Sequence, residues 1–322
     1  MHAVLKKLGD IGIIPVIKID DASRALPLAE ALIAGGIPCA EVTFRTAAGE
    51  AALRAISAGL GGKIVLGAGT VLTTEQVDRA VDAGASFIVS PGFNPKVVSH
   101  AQKRGVPITP GCSSPSDMEA ALEAGLEVVK FFPAEQAGGL AFIKAVAAPY
   151  GSLRFIPTGG INASNVASYL MYEKILACGG SWMVPPDLIN AGNFESITAL
   201  CKEAQQKVHG FSVVHIGINA ANAESASHAA ALFGALFGFP VRDGASSLFA
   251  SDGIEIMKGP YLGANGHIAV AVNNVLRAKA YLEAKGAVFN EQSAKPDGKG
   301  GLIAVYLKDD IAGFAVHLVQ KK

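Results

Sequence analysis

A single lysine, Lys130, stands at the end of an apolar, β-rich segment that reads Val128-Val129-Lys130-Phe131-Phe132. Such a run is typical of a buried strand, in which lysine is rare. Burial disfavours the charged ammonium form, so a buried lysine tends to become a neutral nucleophile that forms a Schiff base with a carbonyl carbon. The common alternative is a lysine whose charged end extends from the strand into solvent.

A carboxylate and a guanidinium group, Glu41 and Arg45, lie on another strand-like run and just after it. A carboxylate beside a Schiff-base lysine can transfer protons while the imine forms and breaks down. An arginine can bind a substrate carboxylate through two parallel hydrogen bonds. The alternative interpretation of these two residues is a surface ion pair between them.

Two pairs of glycines, Gly159-Gly160 and Gly179-Gly180, follow two further strand-like runs, and Ser181 follows the second pair. Glycines let backbone N–H groups approach an anion, and helix N-termini favour negative charge. The pattern predicts a phosphate site at these two glycine pairs and Ser181. Tight turns that merely require positive φ are the alternative.

The elements around these residues alternate between short apolar runs and Ala-rich amphipathic stretches. This rhythm predicts a (β/α)8 barrel, an α/β fold, with an open doubly wound sheet as the second choice. Active sites of such barrels lie at the C-terminal ends of the strands, where Thr70, Pro91 and Thr158 also stand. The candidate strands are 13–19, 39–44, 64–67, 87–90, 107–110, 128–131, 155–157 and 175–177.

Length and composition limit the class of protein. The chain has 322 residues, which favours two domains, and we place the boundary near Gly210, giving 1–210 and 211–322. Lys plus Arg equals Asp plus Glu at 27 each, so no basic surface indicates nucleic acid. The four scattered cysteines predict neither disulfides nor a zinc cluster. No secretory signal or membrane-spanning run is evident, so we expect a cytoplasmic protein.

The remainder of the chain contains two similar halves and predicts an α+β domain of paired βαβββ units. His215 and His267 occupy matching places in the two halves, and Glu255 and His317 form the other matching pair. Folding about a pseudo-twofold axis would bring all four together as ligands of a divalent metal, namely Zn, Ni, Co, Mn or Fe. Each histidine taken alone is better explained as a hydrogen-bonded core residue.

Residues 1–205 resemble the class I 2-keto-3-deoxy-6-phosphogluconate (KDPG) and 4-hydroxy-2-oxoglutarate (KHG) aldolases. The resemblance lies in the runs Glu41-Val42-Thr43-Phe44-Arg45-Thr46, Gly67-Ala68-Gly69-Thr70-Val71, Val129-Lys130-Phe131-Phe132-Pro133-Ala134-Glu135, Pro157-Thr158-Gly159-Gly160-Ile161-Asn162 and Gly179-Gly180-Ser181-Trp182. It implies cleavage of KDPG to pyruvate and glyceraldehyde 3-phosphate, or of KHG to pyruvate and glyoxylate.

The resemblance also implies roles for individual residues. Lys130 would form the imine and Glu41 would be the general acid and base, while Arg45 and Thr70 would hold the carboxylate of the substrate. Phe132 and Thr158 would line the site, and Pro91 is expected at the substrate as well. The phosphate would be bound by Gly159, Gly160, Gly180 and Ser181.

An aldolase of this type needs no cofactor, acts on a small-molecule 2-oxo acid and is usually a homotrimer. A phosphosugar isomerase or epimerase barrel is the alternative function, and an inactive barrel used as a binding scaffold is another. In either alternative, Lys130 would form no imine.

The second domain resembles the vicinal oxygen chelate superfamily, which includes glyoxalases and extradiol dioxygenases. The matching runs are Val214-His215-Ile216-Gly217-Ile218, Ile254-Glu255-Ile256, Gly266-His267-Ile268-Ala269-Val270 and Ala315-Val316-His317-Leu318. The last ligand in that superfamily is commonly a glutamate, and here it is His317. The resemblance implies a fold and a metal, but the reaction stays open, and a non-enzymatic binding or assembly module is the alternative.

Overall fold

The chain divides into two compact units, the first formed by Met1–Val208 and the second beginning at His209. The structure is a computed structural model and describes residues 1–298 and 300–321. No helix within these residues is both long enough and apolar enough to cross a membrane.

Short parallel strands form the centre of the first unit. Six of them pair in the order β5-β4-β3-β2-β1-β8, and β6 pairs with β7. Isolated parallel bridges join Gly111 to Lys130 and Thr158 to Gly179, so the β6–β7 pair connects to both ends of a curled parallel sheet. The strands are β1 Ile13–Ile17, β2 Cys39–Thr43, β3 Val65–Gly69, β4 Phe87–Ser90, β5 Ile108–Pro110, β6 Val128–Phe131, β7 Arg154–Pro157 and β8 Cys178–Gly180.

Helices follow the strands and bury the outer face of this sheet, which explains why β1, β2 and β4 are buried along their whole length. Asn94 and Ser114 begin two of the helices by accepting hydrogen bonds from the backbone N–H groups of the first turn. The helices are α1 Ala3–Ile11, α2 Ala25–Ala34, α3 Gly49–Leu60, α4 Thr74–Asp82, α5 Pro95–Lys103, α6 Pro115–Glu123, α7 Gly139–Ala147, α8 Val166–Leu170, α9 Pro186–Ala191 and α10 Phe194–His209.

The eighth strand differs from the sequence prediction, which placed it at 175–177 with the glycine pair in the following loop. In the structure Ile175 makes only an isolated bridge to Phe155, and the strand β8 begins at Cys178. The reason is the pairing with β1, in which Ile13 lies opposite Cys178 and Pro15 lies opposite Gly180. Gly179 and Gly180 are therefore strand residues.

The second unit is built on one sheet with the strand order β10-β11-β12-β9-β13-β16-β15-β14. The strands β12 and β9 are parallel, as are β13 and β16, and the antiparallel pair β9–β13 joins the two halves. In order along the chain, the elements are β9 Ser212–Asn219, α11 Ala223–Phe237, β10 Val241–Asp243, β11 Ser247–Ala250, β12 Ile254–Met257, β13 Gly266–Val272, α12 Val275–Glu283, β14 Phe289–Pro296, β15 Leu302–Leu307 and β16 Phe314–Gln320.

A buried histidine, His209, begins the second unit, although its polar surroundings in the sequence suggest a solvated linker. Its ring stacks on Tyr281 at a centroid distance of 4.2 Å and lies beside Phe211. Burial, with the nearby positive charges of Arg277 and Lys285, lowers the pKa of His209 to about 3. The folded state therefore holds this imidazole in its neutral form.

We predict that the second unit loses stability as the pH falls. Below the ordinary histidine pKa of 6.5 the unfolded chain binds a proton that folded His209 takes up only near pH 3. Above pH 6.5 the protonation of His209 has no effect on stability. Between pH 6.5 and pH 3 it lowers the free energy of unfolding by about 1.4 kcal/mol for each pH unit that the pH falls. The variant His209→Phe keeps the ring stacking and should show a shallower decline of the thermal midpoint between pH 6.5 and 4. His228→Ala, a change at an exposed helical histidine, should follow the parent protein; equal slopes for all three proteins would contradict the prediction.

Candidate functional site

Lys130 and Glu41 meet inside the first unit. Lys130 Nζ lies 3.4 Å from Glu41 Oε1, and the two side chains are only 6% and 4% exposed. The strand β6 supplies the lysine and β2 supplies the carboxylate, which come from positions 89 residues apart in the chain. An amine and a carboxylate in hydrogen-bond contact, both shielded from water, can exchange a proton directly.

A glycine makes room for this carboxylate. A Cβ atom on Gly69, at the end of β3, would lie 2.2 Å from Glu41 Oε1 and 2.7 Å from its Cγ. Any side chain at position 69 would therefore push Glu41 away from Lys130. The third residue of the motif Gly67-Ala68-Gly69-Thr70 is therefore a glycine for a steric reason.

A cavity of about 300 Å³ lies near the buried pair, although neither Lys130 nor Glu41 is among the residues that line it. Phe132 lines it, and Lys130 Nζ is 5.4 Å from the centroid of the Phe132 ring. Thr158 lines it as well, and its buried Oγ1 has no hydrogen-bond partner among the described residues. A buried hydroxyl without a partner is unusual and favours a role in binding a polar ligand.

Arg45 lines the same cavity and donates a hydrogen bond from Nε to Thr70 Oγ1 at 3.3 Å. Thr70 has a left-handed backbone conformation with φ of 58°, which side-chain-bearing residues rarely adopt. The surface ion pair between Glu41 and Arg45, considered from sequence, is not the arrangement found, because Glu41 is buried against Lys130. The guanidinium of Arg45 is exposed and can receive an anion.

All four residues expected at a phosphate, Gly159, Gly160, Gly180 and Ser181, line this cavity. Gly159 and Gly160 have φ of 100° and 78°, a region open to glycine, and they form a turn after β7. Gly180 has a different reason to be glycine, because a Cβ there would lie 2.0 Å from the ring of Trp182.

Sequence reasoning missed Lys18, whose side chain also borders the cavity and lies 3.1 Å from Asp20. The signal was available, because Lys18 directly follows the buried strand β1 at the same edge of the sheet. Pro91 is exposed at the end of β4, next to Gly111, and is not among the residues that line the cavity.

The comparisons with known proteins agree with this geometry. The family model for KDPG and KHG aldolase matches residues 4–200. The chain belongs to this aldolase family. The 2-dehydro-3-deoxy-phosphogluconate aldolase of Treponema pallidum is 51% identical over 208 residues, which are 65% of this chain and 99% of the relative. That of Haemophilus influenzae is 46% identical and covers 62% of this chain and 94% of its own length.

Solved aldolase structures share the fold of the first unit, which is called the aldolase unit below. A KDPG aldolase from Legionella pneumophila, captured with pyruvate as a covalent carbinolamine intermediate, is 40% identical with a TM-score of 0.60, covering 62% of this chain and 97% of its own. A KDPG aldolase from Zymomonas mobilis, solved with 3-phosphoglycerate, is 40% identical with a TM-score of 0.58 and covers 62% and 94%.

Beyond the aldolase unit, a second cluster brings together His215, Glu255, His267 and His317. Glu255 Oε2 lies 3.2 Å from His215 Nε2 and 3.1 Å from His267 Nε2. One ring nitrogen from each of the three histidines lies within 4.8 Å of the others. The sequence therefore identified four side chains that the structure places in one cluster.

The register of the sheet explains why these residues meet. On β12, Glu255 pairs with Gly217, which lies two residues after His215 on β9. On β16, His317 pairs with Ala269, again two residues after its own histidine, His267 on β13. Residues two apart on a strand share one face, so both halves present their pair to the same side. Gly217 leaves space for His267, since a Cβ there would lie 1.9 Å from the ring.

The protonation states suit ligand chemistry. Burial opposes the ionisation of Glu255, but hydrogen bonds from His215, His267 and Ser247 outweigh it and lower the pKa of this carboxyl below its usual range. Burial, helped by His267 and His215, lowers the pKa of His317 to about 4, so its ring is neutral at pH 7. Both ring nitrogens of His317 are buried and have no hydrogen-bond partner among the described residues.

We predict that Gly69→Ala strongly reduces aldolase activity, because the added methyl group displaces Glu41 from Lys130. A misplacement of this size at a reacting group typically lowers kcat by about 10²-fold. The matched control is Gly92→Ala, at a position where a Cβ would meet no atom within 4 Å. Steady-state kinetics and thermal unfolding of both variants test this, and a normal kcat in Gly69→Ala would contradict the role of the contact.

Proposed function

We propose that the aldolase unit cleaves KDPG to pyruvate and glyceraldehyde 3-phosphate, KHG to pyruvate and glyoxylate, or both, through a Schiff base on Lys130. The observation that carries the proposal is the buried contact between Lys130 and Glu41, with Lys130 Nζ 5.4 Å from the ring of Phe132, a residue that lines a cavity together with Arg45 and Thr158. The relatives named as KDPG aldolases support the substrate class. The bridges that link β6 and β7 to the rest of the sheet support a closed (β/α)8 barrel.

The chemistry follows from the groups present. The neutral amine of Lys130 attacks the 2-oxo carbon, and Glu41 supplies the proton with which the carbinolamine oxygen leaves as water. The resulting iminium group withdraws electrons from the C3–C4 bond. The Glu41 carboxylate left by the first step takes the proton of the C4 hydroxyl, which breaks this bond and releases the aldehyde. Glu41 then returns this proton to C3 of the remaining enamine, and water hydrolyses the imine to pyruvate and free Lys130.

The other residues bind and orient the substrate in this proposal. Arg45, held by Thr70, pairs with the substrate carboxylate, because a guanidinium group matches two carboxylate oxygens. Phe132 and Thr158 lie beside the reacting carbon, and Gly159, Gly160, Gly180 and Ser181 receive the phosphate. The contact of Pro91 with substrate, the homotrimer and the cytoplasmic location stay predictions from the sequence.

We predict that borohydride reduction in the presence of pyruvate attaches a pyruvate-derived mass to Lys130. An isomerase or epimerase, or an inactive barrel, would give no such adduct, so the experiment separates the alternatives. Peptide mass spectrometry locates the modified residue, and Lys130→Met should abolish both adduct and pyruvate release. Glu41→Gln should still bind pyruvate while turnover falls by roughly 10²–10⁴-fold, the usual effect of losing a general acid–base group. An active enzyme without an adduct would remove the imine mechanism.

For the second unit we infer a paired βαβββ domain, similar to the vicinal oxygen chelate superfamily, that binds a divalent metal. The observation that favours it is the convergence of His215, Glu255, His267 and His317. Within the part of the chain that the structure describes, neither buried ring nitrogen of His317 has a hydrogen-bond partner. Imidazoles with one carboxylate suit Zn, Ni, Co, Mn or Fe. Ser247 donates a hydrogen bond to Glu255 Oε1 at 2.6 Å and leaves Oε2 facing the histidines.

We predict that the purified chain of 322 residues binds one divalent metal per protomer at this cluster. His317→Ala should lose the metal, and Ser247→Ala should weaken metal binding by about 10–100-fold, because groups behind a ligand orient it. The control His228→Ala changes an exposed histidine of α11 and should bind metal as the parent does. Elemental analysis and a metal titration measure this. If the parent protein binds no metal under any loading condition, the unit is a non-enzymatic binding or assembly module instead.

A further inference from the structure

The turn between β7 and α8 contains two glycines that line the aldolase cavity. Hydrogen bonds hold the successive carbonyl groups of this turn in place. The carbonyl of Thr158 accepts a hydrogen bond from the N–H of Ala134 at 2.8 Å, and that of Gly159 accepts one from the N–H of Glu135 at 3.1 Å. The Glu135 side chain accepts a hydrogen bond from the hydroxyl of the buried Tyr169. The segment that follows β6 therefore holds the first half of the turn.

Two asparagines hold the next carbonyl. The oxygen of Gly160 accepts hydrogen bonds from Asn162 Nδ2 at 3.2 Å and from Asn165 Nδ2 at 3.0 Å. Asn165 also accepts a hydrogen bond at its Oδ1 from the backbone N–H of Asn162 at 2.9 Å. Asn165 thus connects both ends of the turn and fixes the peptide plane between Gly160 and Ile161.

This peptide plane decides where the N–H groups of the turn point. The C=O and N–H of a trans peptide face opposite ways, so a Gly160 carbonyl turned to the asparagines directs the Ile161 N–H to the other side. Gly160 and Ile161 line the cavity, whereas the two asparagines do not. In the part of the chain that the structure describes, no hydrogen bond uses the N–H of Gly160 or Ile161 as donor. Free N–H groups on consecutive residues form a binding site for an anion.

We propose that Asn165, assisted by Asn162, is a positioning residue that sets the preference of the enzyme for phosphorylated substrates. It acts through the Gly160–Ile161 peptide and touches neither the substrate nor Lys130. The inference rests on the proposed phosphate site at Gly159 and Gly160. Loss of Asn165 leaves the imine chemistry intact and weakens only the interactions with the phosphate group.

The experiment compares Asn165→Ala and Asn165→Asp with the parent protein. The aspartate keeps the size of the side chain and its acceptor for the Asn162 N–H but loses the donor to Gly160. Asn190→Ala, at an exposed position on α9, is the matched control. Three quantities are measured for each protein: kcat and KM with KDPG, the inhibition constant of inorganic phosphate, and the rate of pyruvate trapping on Lys130 by borohydride.

Both variants should raise the KM for KDPG and the inhibition constant of phosphate by about tenfold, the effect of misdirecting one or two hydrogen bonds to a charged group. Pyruvate trapping and kcat should stay at the parental level, which also shows that the variants fold. Equal losses in KM, kcat and pyruvate trapping would mean a merely structural role and would overturn the inference. Unchanged KM and inhibition constants would overturn it too.

Failure of the proposed function can be distinguished from failure of this inference alone. If phosphate does not inhibit the parent protein while pyruvate trapping on Lys130 is normal, the phosphate site itself is wrong and this inference falls with it. If pyruvate does not trap on Lys130 of the parent protein, the Schiff-base reaction is wrong, whatever the asparagine variants show.

Discussion

The contact between Lys130 and Glu41 is the constraint on which the aldolase unit depends. Two ionisable side chains, 6% and 4% exposed, face each other at 3.4 Å in a region from which water is largely excluded. Removing either partner leaves an unpaired buried polar group, which typically costs about 3–5 kcal/mol when that group is charged. The fold must therefore hold both strands in register for stability as well as for reaction. At 3.4 Å the contact is longer than most hydrogen bonds between nitrogen and oxygen in proteins.

The packing around this contact accounts for small residues that the chemistry alone would not require. Gly69 is small because the Glu41 carboxylate occupies the place of its side chain, and Gly179 is small because Thr158 Oγ1 would lie 2.3 Å from a Cβ there. In both cases a glycine within a strand makes room for a polar side chain from a neighbouring segment. Glycine content near the carboxyl ends of the strands thus reflects the space that neighbouring side chains need, in addition to the positive φ of the turn after β7.

The position of several polar side chains in the aldolase unit could be predicted from the sequence, because each lies on or just after an apolar run typical of a strand. Lys130, Glu41, Arg45 and Thr158 are of this kind. Contacts between distant segments could not be predicted in this way. The sequence placed Gly180 in a loop, and pairing with β1 makes it part of β8. It suggested a solvated His209, which Tyr281 buries. Nor did it indicate β14, whose sequence Phe-Asn-Glu-Gln-Ser-Ala-Lys-Pro is polar because it forms the edge of its sheet.

In the second unit the two halves have equivalent strand pairings but present different side chains, Glu255 and His317, at equivalent positions. The pairing of Glu255 with Gly217 repeats that of His317 with Ala269, so the two halves deliver equivalent positions to one face. Glu255 is satisfied by Ser247 and two imidazoles, whereas His317 finds no partner for its buried nitrogens among the described residues. Buried polar atoms rarely stay unpaired, which favours a ligand that the chain does not supply.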